Sequence, residues 1–456
     1  GGTFYSRTKQ MVFANFEQTG GDFYAPSNFS NLIINGDFIH TGGNFYHSAS
    51  VVLLNATDSG NILSAGTAHF YTLNINGING SWDMGAQLIV DNNFNIVNGT
   101  LNALGYTITV GGNWTNSATF NHGNNTVTLT ATDARTITPG SSSFYNLTLN
   151  GAGGTWTPQA SLDVDNNFSL LEGSFDLNGK TLTIGQNFVA AGTFSHGNGT
   201  VIFDTAAKIS TIYGDNTFYN LVCTTGNKQI KFEAGKTQII TNLLTLNSGS
   251  ASDYIILRST QNGMQWKFNP QGTRNINYVN VRDSWNINPT VINPLNYVDA
   301  GNNDNWFPPT PNTISGTVFF DQGLNPVGEG ITITVVIRGG QTYSRETNSS
   351  GIYTVTDVTF SEGNIILVYI SSEDFQGNTV TIAGSSSGIA NLHVYGDTVI
   401  ARHETTGTGA QVTNADFLTA KGALTTDIIF SVENNNLSVD TGKDFLVWQN
   451  RTYAPG

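Results

Sequence analysis

The residues best suited to chemistry come in copies. Thr119–Leu129 reads TFNHGNNTVTL and Thr193–Phe203 reads TFSHGNGTVIF, which puts His122 and His196 in the same slot of one repeated phrase. A third histidine, His47, sits in the related stretch NFYHSASVVLL. Imidazole moves protons and binds metals near neutral pH, so three such rings suggest a metal-binding or pH-sensing row. The carboxylates repeat in the same way: Asp91 lies in LIVDNNF, and Asp163 and Asp165 lie in LDVDNNF. Clustered carboxylates are the working groups of glycoside cleavage. Copying points elsewhere. A catalytic group is needed once, whereas a turn residue is needed at every turn, and Asp and Asn cap their own backbone there. Metal ligands must converge to within about 2–2.5 Å of the ion, and copies this far apart in the chain cannot do so. We therefore read His47, His122 and His196 as turn residues whose rings bond the backbone, and the aspartates as turn caps.

Other chemistry leaves little trace. The chain contains no HExxH pair, phosphate-binding glycine loop or CxxC pair. The one locally charged aromatic cluster is RDSWN, with Arg282, Asp283 and Trp285. It suits either carbohydrate stacking or the capping of a coil, and capping is the preferred reading. Cys223, in YNLVCTT, is the only cysteine, so no internal disulfide forms and a buried structural thiol is expected. We expect no enzyme activity, no cofactor and no metal.

Composition narrows the class. The 456 residues include 18 Lys+Arg against 32 Asp+Glu, a net charge of −14 with only 11% charged residues. A phosphate backbone needs a basic stripe, so nucleic acid is not an expected partner. Aromatics at 11% separate the chain from disordered sequences. No run of 18 apolar residues exists, so no membrane span is expected. The opening GGTFYS has neither Met nor a charged-then-apolar leader, as expected of a processed or trimmed start.

The elements that position these residues are short strands in a repeat. FYTLNING begins at Phe70, FYNLTLNG at Phe144 and FYNLVCTT at Phe218, so the two intervals are equal. They equal the interval from His122 to His196 as well, and define a super-repeat of about 74 residues, longer than a single repeat unit of the familiar solenoids. A shorter period runs inside it. LIVDNNF and ITVGGNW end at Phe94 and Trp114, and LDVDNNF and LTIGQNF end at Phe168 and Phe188, again at equal intervals. This inner period, about 20 residues, is too short for a domain and suits one coil of a solenoid. TLTIGQNF alternates apolar and polar residues and then turns at glycine. The expected fold is all-β: a parallel β-helix over 1–306, followed by β-sandwich modules. Stacked coils about 4.8 Å apart place Phe94 on Trp114 and Phe168 on Phe188 as structural ladders.

FYNLTLNG…LDVDNNF…GTFSHGNGTVIFD resembles the parallel β-helix or adhesin-like repeats of very large secreted proteins from environmental bacteria and archaea, over roughly residues 20–306. The stretch NINYVNVRDSWNINPTVINPLNYVDAGNNDNWF (275–307) is similar to the closing coil of such repeats. FPPTPNT (307–313) reads as a Pro-rich linker. From 314 to 386 the chain resembles a carboxypeptidase regulatory-like, transthyretin-like β-sandwich, with Gly316–Val318 opening, Pro326 in a loop and Gly351–Tyr353 closing. Related modules of collagen-binding adhesins often carry a Lys–Asn crosslink. None is available within this one, because no lysine lies between Lys267 and Lys421. Residues 387–456 read as a small β-rich module with one short helix in NADFLTAKGA. Asp440 and Asp444 give it a faint similarity to a dockerin calcium loop, but the D-x-D-x-D-G ligand spacing is missing, so calcium is not expected.

Joined end to end, FLVWQNRTYAPG and GGTFYSRTKQMVFANF resemble the internal phrase GQNFVAAGTFSHGNGTVIFD. This suggests head-to-tail continuation into copies of the chain or into adjacent tandem units. Twelve N-x-S/T sequons occur, among them Asn28, Asn55, Asn98, Asn113, Asn146, Asn167, Asn198 and Asn450. They are candidate glycosylation sites, although a chain this rich in Asn, Ser and Thr produces about as many by chance. The function expected from all this is an extracellular, cell-surface structural protein: a unit of a filament, sheath or adhesin stalk. The alternative is a secreted β-helix that binds or cleaves carbohydrate, with surface glycans as partners.

Overall fold

The computed structural model describes residues 2–307, 312–372, 375–385, 388–405 and 410–455. It consists of two compact units, Gly1–Pro308 and Pro309–Gly456. Half the chain is strand and 2% is helix.

The first unit is a parallel β-solenoid of about 19 turns. Most of its strands are short, and they alternate in burial: Thr126–Leu129 and Thr181–Ile184 each bury every second side chain. Alternation is unusual for parallel strands, which normally have both faces covered. Here one face lines the lumen of the coil and the other meets solvent. Each strand pairs with the equivalent strand one coil on. One such line runs Phe70, Val90, Val110, Leu129, Leu149, Leu170, Ala190. The step between partners varies more than the sequence period. It is short where Trp266 meets Ser284 and long where Thr237 meets Lys267. Near the start of the chain Thr3 pairs with Asp22, a shorter step than the one from Phe38 to Leu63. Strand pairing fixes the rungs, while the turns between them absorb extra residues.

The lumen is one continuous apolar core from Phe16 to Trp306. Phe94 and Trp114 are register partners with ring centroids 5.0 Å apart, edge to face at 63°. Phe168 and Phe188 are partners at 5.6 Å, stacked at 21°. Both expected ladders are therefore built, and they extend further: Trp114 also meets Phe120 and Phe144 at 5.1 Å, and Phe232 stacks on Trp266 at 3.8 Å. Each such pair adds about 0.5–1.5 kcal/mol beyond the area it buries.

Of the Pro-rich stretch, residues 308–311 lie outside the described residues. In the second unit Asn312–Phe319 pairs antiparallel with Ile352–Val358. A six-stranded sheet carries Thr342–Glu346, Thr332–Ile337, Ile365–Ile370, Asn378–Ile382, Thr398–His403 and Asp444–Val447 in that order. Its central strands are buried on both faces. One face packs on Tyr353, Val355 and Leu392. The other packs on the helix Asn414–Lys421 through Phe417 and Ala420. That helix forms where NADFLTAKGA suggests it, because Thr413 and Asp416 close a capping box. The expected junction at 386–387 lies outside the described residues. The strands flanking it, Asn378–Ile382 and Thr398–His403, are parallel neighbours, so both C-terminal segments share one sheet. Asp444–Val447 and Thr452–Tyr453, from the segment that resembles half a coil, pair here with Thr398–Ala401 and Gln411–Val412. Gly1 and Gly456 lie outside the described residues.

Candidate functional site

The three histidines occupy one geometry. Each opens a tight turn closed by a backbone bond to its carbonyl: Ser50 N–H to His47 at 2.7 Å, Asn125 N–H to His122 at 3.0 Å and Gly199 N–H to His196 at 2.6 Å. Both central residues are left-handed: Ser48 and Ala49 (φ 50° and 59°), Gly123 and Asn124 (55° and 64°), Gly197 and Asn198 (48° and 62°). These are the angles of a type I′ turn, which favours Gly and Asn. In each turn Nδ1 of the ring accepts the N–H two residues on: Ala49 at 3.1 Å, Asn124 at 2.9 Å, Asn198 at 3.1 Å. The ring then leans at 32° over a tyrosine of the next coil, Tyr71, Tyr145 or Tyr219, at 5.5–5.6 Å.

An Nδ1 that accepts a backbone N–H leaves the ring proton on Nε2, and two of the rings donate it to a carboxylate two coils away. His47 Nε2 lies 3.2 Å from Asp91 Oδ2, and His122 Nε2 lies 2.9 Å from Asp165 Oδ2. The third ring has no such partner in its repeat, since the position equivalent to Asp165 one super-repeat on is Ile239. Each carboxylate has a second ligand. His69 Nδ1 is 3.2 Å from Asp91 Oδ1, and Ser143 Oγ donates to Asp165 Oδ2 at 3.2 Å. Sequence reasoning missed His69 and Ser143. Their signal was present, because each immediately precedes the repeated Phe-Tyr pair, as Thr217 does in the third copy.

His122, Ser143 and Asp165 are the residue types of a hydrolytic triad in the wrong order. A triad places imidazole between hydroxyl and carboxylate so that the ring takes the hydroxyl proton. Here Asp165 stands between the other two and accepts from both. Metal ligation meets a similar obstacle: the Nε2 atoms facing Asp91 and Asp165 carry protons and have no free lone pair. Among the described residues no group of three or more His, Cys, Asp or Glu could hold a metal ion. What the arrangement does is clip coil to coil.

The remaining carboxylate, Asp163, alternates outward on Leu162–Val164. Although its side chain reaches solvent, partial desolvation and then the charges of Asp165 and Asp204 push its carboxyl above the usual range. Around the same column two lysines hold carbonyls. Lys208 Nζ donates to Asp165 O at 2.7 Å and Asn166 Oδ1 at 3.1 Å, and lies 5.1 Å over the Tyr145 ring. Lys228 is fully buried and donates to the carbonyls of Gly185, Thr205 and Lys208 at 2.8–2.9 Å. Burial pulls its ammonium down to about 8. Cys223 is buried and burial pushes its thiol up to about 11, so it is a poor nucleophile.

The sequons divide. Asn98, Asn113, Asn146 and Asn167 stand in ladders: their Nδ2 groups donate to Asn76 Oδ1 (3.0 Å), Asn93 Oδ1 (3.1 Å), Thr126 Oγ1 (3.2 Å) and Asn146 Oδ1 (3.2 Å). Asn55 accepts from Asn76 at 3.4 Å. Asn28, Asn198 and Asn450 are exposed and left-handed, with φ of 58°, 62° and 57°.

Asp283 is buried, and its Oδ1 accepts from Asn302 at 2.8 Å while Arg282 Nε lies 3.3 Å from its Oδ2. One face of the Trp285 ring is covered by Lys267 Nζ at 5.6 Å. The cluster thus fastens a turn. Asp440 and Asp444 make separate contacts: the Asp440 carbonyl accepts from Lys443 N–H at 3.0 Å, and Asp444 Oδ2 accepts from Gln322 at 3.0 Å. A surface groove that combines aromatic and ionisable groups is lined by Tyr24, Phe45, Tyr46, His47, His69 and Asp91. Beside it Tyr5, Tyr24 and Tyr46 stack at 4.4 Å spacings. No protein family matches the chain, and no curated protein and no solved structure matches it.

Proposed function

We propose that this chain is a non-enzymatic structural protein of the cell exterior, a unit of a surface filament, sheath or adhesin stalk. The observation that carries the reading is the use made of the repeated polar residues. His47 and His122 close their own turns and, through Asp91 and Asp165, bond each turn to a coil two further on. The solenoid is the stalk, stiffened by parallel ladders and a stacked aromatic core. On this reading the second unit is a carboxypeptidase regulatory-like β-sandwich carried by the stalk. Neighbours, on this reading, are copies of the chain or adjacent tandem units. The test is the mass of the polypeptide from its native source, together with electron microscopy of the same material. Fibres or a giant tandem chain support the proposal. A 48.8 kDa species that stays monomeric and unattached to the surface at high concentration overturns it.

A second reading, glycan binding, is favoured by the groove at Tyr46, His47, His69 and Asp91. A glycan array read with the native chain and with Tyr46→Ala tests it. Binding lost in the variant supports this reading, and an array with no signal removes it.

A further inference from the structure

The histidine turn does more than close a corner. In two of its three copies the residue at its tip is an asparagine that begins a sequon: Asn124-Asn125-Thr126 and Asn198-Gly199-Thr200. Both asparagines are exposed, both are left-handed at the second central position, and both have their backbone N–H held by the histidine ring at 2.9 and 3.1 Å. Their side-chain amides are outside any ladder. The threonines two residues on accept from Asn146 at 3.2 Å and Asn220 at 3.0 Å, and keep their own hydroxyl protons to donate.

The ladder sequons are the reverse. The Nδ2 atoms of Asn98, Asn113, Asn146 and Asn167 point at the adjacent coil and are bonded there. Coils lie about 4.8 Å apart, which leaves no room for a sugar on a nitrogen facing its neighbour. Such ladders also lose a part-buried partner when an amide is substituted.

We infer that Asn124 and Asn198 are N-glycan acceptors and that the four ladder sequons stay bare in the folded chain. The inference rests on the exterior reading above, because the donor is a lipid-linked oligosaccharide presented outside the cytoplasm. In the transfer the Nδ2 nitrogen forms a bond to the anomeric carbon. The bond from that carbon to the lipid pyrophosphate breaks, the pyrophosphate leaves with the electron pair, and the amide gives up one proton to solvent. Sugars at these tips stand one super-repeat apart along one line of the solenoid, clear of the ladders.

The test uses folded, purified chain with an oligosaccharyltransferase and lipid-linked oligosaccharide, mapped by glycopeptide mass spectrometry. The expected result is sugar on Asn124 and Asn198 and none on Asn98, Asn113, Asn146 and Asn167, with the ladder sites becoming modified once the chain is denatured. Asn198→Gly, which keeps the left-handed backbone, removes the sugar at that tip with little change in the melting temperature, while Asn167→Gln lowers the melting temperature and leaves the glycan mass unchanged. Equal occupancy of ladder and turn sites in the folded chain overturns the inference, as does a bare Asn124 and Asn198. A chain that accepts sugar here but carries none when isolated from its source overturns the exterior reading and leaves the acceptor geometry standing.

Discussion

Lys228 gives the sharpest test of how the coils are held together. It is fully buried, and its ammonium reaches three carbonyls belonging to neighbouring turns. Desolvation is the largest influence and takes its pKa from 10.5 to about 8. At about 1.36 kcal/mol per pH unit, that fall corresponds to about 3 kcal/mol. Between those two pH values the unfolded chain keeps a proton that the folded chain has released, so stability rises with pH across this window and is flat below it. Lys228→Met removes the titration. At neutral pH the variant loses three charge-assisted bonds worth about 1.5–3 kcal/mol each but also sheds the buried charge. These effects oppose one another, so the absolute change is less diagnostic than its slope with pH. Denaturant unfolding of both proteins, followed by tryptophan fluorescence from about pH 7 to about pH 10.5, isolates Lys228, because every other group cancels in the difference. The wild type should gain about 3 kcal/mol on the variant over that range. Parallel curves would refute the reasoning and show that the three carbonyls fully offset the desolvation.

Other outcomes follow from the same geometry. Gly197→Ala should destabilise the solenoid by about 2–4 kcal/mol in the same unfolding assay, since left-handed backbone costs a side chain about 1–2 kcal/mol and overpacking adds to it; the new Cβ would sit 2.3 Å from Asp176 Oδ1 and 2.4 Å from Asn178 N. Ala49→Asn should stabilise it by about 0.5–1 kcal/mol, because Ala49 holds φ 59° without the asparagine found in the sister turns. Phe168→Ala should cost about 3–5 kcal/mol, seen as a lower denaturation midpoint, because it opens a cavity in the continuous core between Phe175 and Phe188. Cys223 should resist a thiol reagent in the native chain and react at once in denaturant; a native rate near that of a free thiol would contradict its burial.

Much of the solenoid was legible in the sequence because a coil is a local object. Alternating residues followed by Gly or Asn define a strand and a turn within one coil, and stacking repeats that decision. Phe94 over Trp114 and Phe168 over Phe188 follow from the period alone, as does the turn role of the histidines, since a ring that bonds the N–H two residues on needs no distant partner. What the period could not supply is anything that crosses coils with a different step. His122 reaches forward to Asp165 and Lys208 reaches back to it across the same sequence separation of 43, a multiple of neither the coil nor the super-repeat. The three carbonyls around Lys228 are brought together only by the stacking of neighbouring turns. The second unit shows the same division. Its short helix is written in a local capping box, but the sharing of one sheet across the expected junction depends on Asn378–Ile382 finding Thr398–His403, a choice made by burial on both faces of the sheet. Sequence determined the period, the strands and the turn chemistry, because these are settled by neighbours close along the chain. The clips between coils and the joining of the two C-terminal segments were decided only in the tertiary structure, where desolvation and hydrogen-bond satisfaction act between residues that no repeat relates.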